Sequence, residues 1–124
     1  MDKQTTVLIA EDNKLNLELF TDLLELKNAK VIQVVDCKKV ISEAKKTKPD
    51  LIISDIRLGV FSGVELIKQI KDQKDLAGIP VIAITAYVTE DDRQALQKIG
   101  CDEYLSKPLP VDDFYKVVSK YIKI

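Results

Sequence analysis

The chain has 124 residues, the size of one domain, and its 46% hydrophobic content is enough for a packed core, which sets aside disorder. With 19 basic and 20 acidic residues the net charge is −1, and no basic stripe stands out, so direct nucleic-acid binding is not expected. There is no histidine, which excludes a Ser-His triad, a His-ligated zinc and a phosphohistidine on this chain.

The polar opening Met1-Asp2-Lys3-Gln4-Thr5-Thr6 leads into an apolar run that stops at Ala10, too short for a signal peptide or a membrane span. A cytoplasmic protein without a membrane partner is therefore expected. The first strand, 6–10, runs into Glu11-Asp12, and Asn13 is a residue type that caps the helix expected over 13–27. A second strand at 31–35 precedes a helix at 38–47. The third strand, 50–54, ends against Asp55, the first group past its apolar core. Ser62 opens a helix over 62–73. Pro80 opens the fourth strand, 80–84, at a position where proline is tolerated, and Thr85 follows it. A helix over 89–99 starts at Thr89 and stops at Gly100. The fifth strand, 102–106, ends at Lys107, and a last helix covers 111–122.

Most of these strands are continuous Val/Ile/Leu runs, the pattern of parallel strands covered on both faces. Five βα units in succession argue for an open, doubly wound α/β sheet, whose ligands bind beyond the carboxyl ends of the strands. Those ends would gather Glu11, Asp12, Asp55, Thr85 and Lys107 in one place. Each has an ordinary explanation alone: acidic residues suit a helix N-terminus, and a lysine or a hydroxyl is common at a strand end. Together, three carboxylates repel one another unless a cation is present, and Mg²⁺ prefers oxygen ligands of this type. The lysine and the hydroxyl add groups that suit a phosphoryl moiety, and aspartate is a competent nucleophile for one. Cys37 and Cys101 fit no metal-ligand spacing and read as reduced packing thiols.

Glu11-Asp12, Asp55, Thr85-Ala86 and Lys107-Pro108 resemble, in order and spacing, the signature of receiver domains of two-component response regulators, the CheY-like family. The resemblance covers essentially the whole chain, 1–124, and Ile9-Ala10-Glu11-Asp12-Asn13 with Asn16 is most similar to single-domain regulators of the DivK type. It implies a five-stranded parallel sheet in the order 2-1-3-4-5 with five helices. It also implies that Asp55 is the phosphoacceptor, loaded from a histidine kinase or histidine phosphotransfer protein. Glu11, Asp12, Asp55 and the backbone carbonyl of Arg57 would hold Mg²⁺, with Mn²⁺ as a substitute. Thr85 and Tyr104 would be the switch pair, and Lys107 the phosphate-binding lysine, preceding a cis proline. The response would be a changed surface of the fourth helix, fifth strand and fifth helix, read by a downstream protein. Arg57 and Tyr87, both bulky, would flank the path of attacking water, so slow self-dephosphorylation is expected.

Two departures from the family pattern stand out. Gly59 replaces a common proline, and Glu11 replaces the more familiar aspartate, so it is expected to reach the metal through water. The leucines of the first helix spread over roughly 200°, wider than one core face needs. Leu15 and Leu17, at the edges of that arc, are expected to stay exposed beside the acidic site as a docking rim for a kinase or phosphotransfer protein. Other readings fare worse. A phosphatase working through an aspartyl phosphate would want a second acid at Arg57. A nucleotide- or flavin-binding module would want a glycine-rich turn in place of Glu11-Asp12-Asn13-Lys14. An inert scaffold would not need the full charged set. A receiver cut from a hybrid kinase stays open, although the start at Met1 and the end soon after the last helix favour a free-standing protein.

Overall fold

The computed structural model describes residues 4–55, 57–58, 61–85, 90–106 and 110–123; within these, the side chains at 37, 57–58, 61–64, 85, 92–93 and 106 are not described. The described residues form a five-stranded parallel sheet of β1 (Thr6–Ala10), β2 (Lys30–Val34), β3 (Leu51–Asp55), β4 (Val81–Thr85) and β5 (Glu103–Ser106). The strand order is β2-β1-β3-β4-β5, the doubly wound order the resemblance implies. Five α-helices alternate with them: α1 (Lys14–Glu25), α2 (Val40–Thr47), α3 (Gly63–Asp72), α4 (Glu90–Lys98) and α5 (Val111–Val118).

The unbroken apolar strands follow from burial on both faces. Successive side chains of β1 go to opposite sides. Leu8 and Ala10 join Ile52, Val81 and Ala83 against α2, α3 and α4, through Val40, Ala44, Leu66, Ile67, Ile70 and Leu96. Val7 and Ile9 join Leu51, Ile53, Ile82 and Ile84 against α1 and α5, through Leu17, Phe20, Leu24, Phe114 and Val118. On that second side the Phe20 and Phe114 rings stack with centroids 5.3 Å apart, fixing α5 on α1. No helix among the described residues is long and apolar enough to cross a membrane.

The element boundaries shift for local reasons. Asp50 stands before β3, because its carboxylate accepts from the Thr6 N–H at 2.9 Å and its own N–H donates to the Thr6 carbonyl at 2.7 Å. Asp55 in turn lies within β3, opposite Ile84 in the register. Residues 37–39 form a 3₁₀ turn ahead of α2, and Lys48 ends that helix in the left-handed region at φ 48°. Gly100 serves the same purpose after α4 at φ 86°. The last helix is shorter than its pattern: beyond Val118 the N–H groups of Lys120 and Tyr121 turn to carbonyls three residues back. A two-residue antiparallel ribbon, Arg57–Leu58 with Phe61–Ser62, follows β3. It is too short to leave a sequence pattern.

One expectation is overturned here. Leu17 is not an exposed rim residue; it is 4% exposed and belongs to the α1 core stripe. Leu17, Phe20, Thr21 and Leu24 recur at helical spacing and all face the sheet. Leu15 lies about 200° away around the helix, which places it on the opposite side with Leu19 and Leu26. Those three are exposed, Leu15 at 77%. The breadth of the leucine arc therefore reflects two opposite stripes and not one wide face.

Candidate functional site

The carboxyl ends of β1 and β3 are adjacent, since Ala10 pairs with Ser54. The residues that continue each strand are thus forced together. One carboxylate oxygen from each of Glu11, Asp12 and Asp55 lies within 4.8 Å of the other two. Glu11 and Asp55 are buried, at 1% and 6% exposure, while Asp12 is exposed. The result is a cup with two buried acids in its wall and one at its mouth.

Glu11 is fixed at both its backbone and its side chain. Its N–H donates to the Val34 carbonyl at 3.1 Å, prolonging the β1–β2 ladder by one residue. Its Oε1 accepts from the Asn13 N–H at 3.1 Å. Asn13 caps α1: its Oδ1 accepts from the Asn16 N–H at 3.0 Å, and its carbonyl accepts from the Leu17 N–H at 2.9 Å. A capping role for Asn13 is legible in the sequence, but its bond to Glu11 is not, because that bond depends on the extended backbone at Asn13 (φ −83°, ψ 114°).

Among the other expected site residues, Thr85 ends β4 beside the cup-bearing strand, in register with Ser106. Tyr104 is half-buried on β5, opposite Ala83. Arg57 lies in the short ribbon after β3. The Thr85 and Arg57 side chains are not described, and Lys107, Pro108, Tyr87 and Gly59 lie outside the described residues. Cys101 is partly buried against the carbonyls of Val81 and Glu103, and burial pushes its thiol up from the ordinary value, consistent with a packing thiol. The side chain of Cys37 is not described.

The donor set fits a hard divalent cation. All three groups are carboxylates, two come from buried positions with fixed backbones, and among the described residues no histidine or cysteine joins the group. Such a cation removes the mutual repulsion that this spacing imposes.

Comparison with known proteins adds three findings. Residues 7–119 match the sequence model of the response regulator receiver domain. The polar-differentiation response regulator DivK of Brucella anthropi is 38% identical over 117 residues, which is 94% of this chain and 95% of that protein. The receiver domain of a sensor histidine kinase from Pseudomonas aeruginosa, solved with a magnesium ion coordinated in its active-site cleft, superposes with a TM-score of 0.86 at 26% identity. It covers 96% of this chain and 98% of its own. The chemotaxis protein CheY4 of Vibrio cholerae superposes at 0.90 over 97% of this chain and 100% of its own; at 22% identity that is a likeness of fold.

Proposed function

This chain belongs to the response regulator receiver domain family, the phosphorylation-dependent switches of two-component signalling, and from that premise we propose that Asp55 is its phosphoacceptor, loaded in a magnesium-dependent reaction. The observation that carries this reading is the convergence of the Glu11, Asp12 and Asp55 carboxylates within 4.8 Å at the ends of two neighbouring strands. Glu11, Asp12 and Asp55, with the Arg57 carbonyl, are the residues that would hold magnesium, Glu11 through water. When bound, the ion neutralises charge on the transferring phosphoryl oxygens.

The chain has no histidine, so the phosphohistidine belongs to a partner, either a histidine kinase or a histidine phosphotransfer protein. An Asp55 carboxylate oxygen attacks phosphorus in line as the P–N bond breaks, and the released imidazole takes a proton from solvent. The Lys107 ammonium and the Thr85 hydroxyl are assigned to the phosphoryl oxygens on the strength of the sequence match. Movement of Thr85 toward those oxygens would let Tyr104 turn inward and reshape the surface of α4, β5 and α5 for a downstream protein. In this reading residues 1–124 are a single receiver domain in the cytoplasm. It assists its own phosphorylation and dephosphorylation and turns over no other substrate. Arg57 and Tyr87 hinder the attacking water and prolong the phosphorylated state. As a second reading, the chain is the receiver domain of a hybrid histidine kinase and serves as a phosphorelay intermediate; the Pseudomonas neighbour is likewise the receiver domain of a sensor histidine kinase.

The test is incubation with acetyl phosphate, with and without Mg²⁺, followed by intact mass. A single phosphoryl adduct should form only with the metal; an adduct that forms equally in chelator would overturn the assignment.

For docking we assign the exposed stripe of α1, led by Leu15 in the helix's first turn, to the phosphodonor protein. Leu15→Lys should slow transfer from the partner about tenfold, the effect of removing one anchoring apolar contact of about 1.4 kcal/mol. Phosphorylation by acetyl phosphate should be unchanged. Equal slowing of both reactions would argue against docking at this face.

A further inference from the structure

We propose that Asn13 is a positioning residue for the metal site, coupling the cap of α1 to the direction of the Glu11 carboxylate. The inference rests on the reading of Glu11, Asp12 and Asp55 as the metal-holding acids, and it explains how a glutamate serves where its extra methylene is a liability. Glutamate has one more rotatable bond than aspartate, so its carboxylate must be held by something other than its own backbone. The Asn13 N–H supplies a fixed hold on Oε1 at 3.1 Å.

A backbone N–H is only as well aimed as its residue's conformation. Asn13 is set by two further bonds, the Asn16 N–H to its Oδ1 at 3.0 Å and the Leu17 N–H to its carbonyl at 2.9 Å. Both anchor it to the first turn of α1. That turn is itself seated, because Leu17 is in the core. One turn later the Thr21 hydroxyl donates to the Leu17 carbonyl and accepts from Gln33 Nε2 at 2.9 Å, tying α1 to β2. The chain of contacts thus runs from the sheet edge through the helix cap to one carboxylate oxygen of the cup. Groups that orient metal-facing carboxylates commonly change metal affinity by about 10- to 100-fold when removed.

The experiment is titration of the unphosphorylated chain with Mg²⁺ by calorimetry, with folding checked by circular dichroism. Asn13→Ala removes the cap and should weaken Mg²⁺ binding about tenfold while the protein stays folded at the titration temperature. Asn13→Ser restores a capping oxygen and should bring affinity back to within about twofold of the parent. Parent-like affinity in Asn13→Ala overturns the inference, since a cap with a merely structural role would lower the melting temperature alone. An equal loss in Asn13→Ser overturns it too. A parent chain that takes up no Mg²⁺ overturns the metal reading itself, and this inference with it.

Discussion

Asp55→Asn should leave a folded chain that gains no phosphoryl mass from acetyl phosphate in Mg²⁺, and that melts at a higher temperature than the parent in chelator. The first effect follows from chemistry: the amide oxygen is a poor nucleophile for phosphorus, and the amide cannot form the acyl phosphate. The second follows from the cup. Glu11 and Asp55 are both buried, with carboxylate oxygens within 4.8 Å. At an effective dielectric of about 20, two like charges about 5 Å apart repel by roughly 3 kcal/mol, part of which neighbouring groups offset. Relief of about 1 kcal/mol of this would raise the melting temperature by about 4 °C. Asp12→Asn should behave differently at the mouth. On the proposed assignment it keeps the nucleophile but loses a charged ligand, so Mg²⁺ affinity should fall about tenfold or more, and phosphorylation should require correspondingly more metal. Melting curves with and without Mg²⁺ check both variants. If Asp55→Asn melts below the parent in chelator, the cup is not a reservoir of repulsion.

The acids of that cup were visible in the sequence because strand ends are punctuated by chemistry. Val7-Leu8-Ile9-Ala10 and Leu51-Ile52-Ile53-Ser54 read as buried strands, and in a parallel sheet their carboxyl ends must lie at one edge. The meeting of Glu11, Asp12 and Asp55 then follows from register, since Ala10 faces Ser54 across the β1–β3 pair. What the sequence hid were features fixed by direction and not by type. Leu15 and Leu17 are the same residue two positions apart, yet 200° of helix separates them, and only the seating of α1 on the sheet decides which is core. Phe114 across the interface makes that decision, by stacking on Phe20 three residues beyond Leu17. The Asn13 N–H bond to Glu11 was hidden for a similar reason: the sequence names a cap, but not where the cap's backbone points. A polar latch, in which the Lys71 ammonium donates to the Ala77 and Ile79 carbonyls and to Asp102, left no signal at all, because two of its three acceptors are backbone carbonyls.

That latch has the largest expected effect on stability. Asp102→Ala should lower the unfolding free energy by about 2–3 kcal/mol, and Asp102→Asn by only about 1 kcal/mol. Asp102 Oδ2 lies 2.8 Å from the Lys71 ammonium and 2.8 Å from the Val81 N–H, the first donor of β4. The Lys71 side chain is 13% exposed and that of Asp102 34%, so the pair is only partly screened. The same ammonium donates to the Ile79 carbonyl at 3.0 Å and the Ala77 carbonyl at 3.4 Å, closing the loop that leads into β4. Alanine at 102 would strand a β-ladder donor and a largely buried cation together, whereas asparagine keeps an acceptor oxygen within reach of both. The ordering of the two variants therefore separates hydrogen bonding from charge pairing. Equal losses would assign the stability to the charge, and no loss in Asp102→Ala would mean that water replaces the carboxylate at no cost. Urea unfolding followed by circular dichroism measures both. Because the latch sits where β4 begins and the cup where the strands end, roughly 13 Å along the strand, Mg²⁺-dependent phosphorylation of Asp55 should survive in every molecule that remains folded.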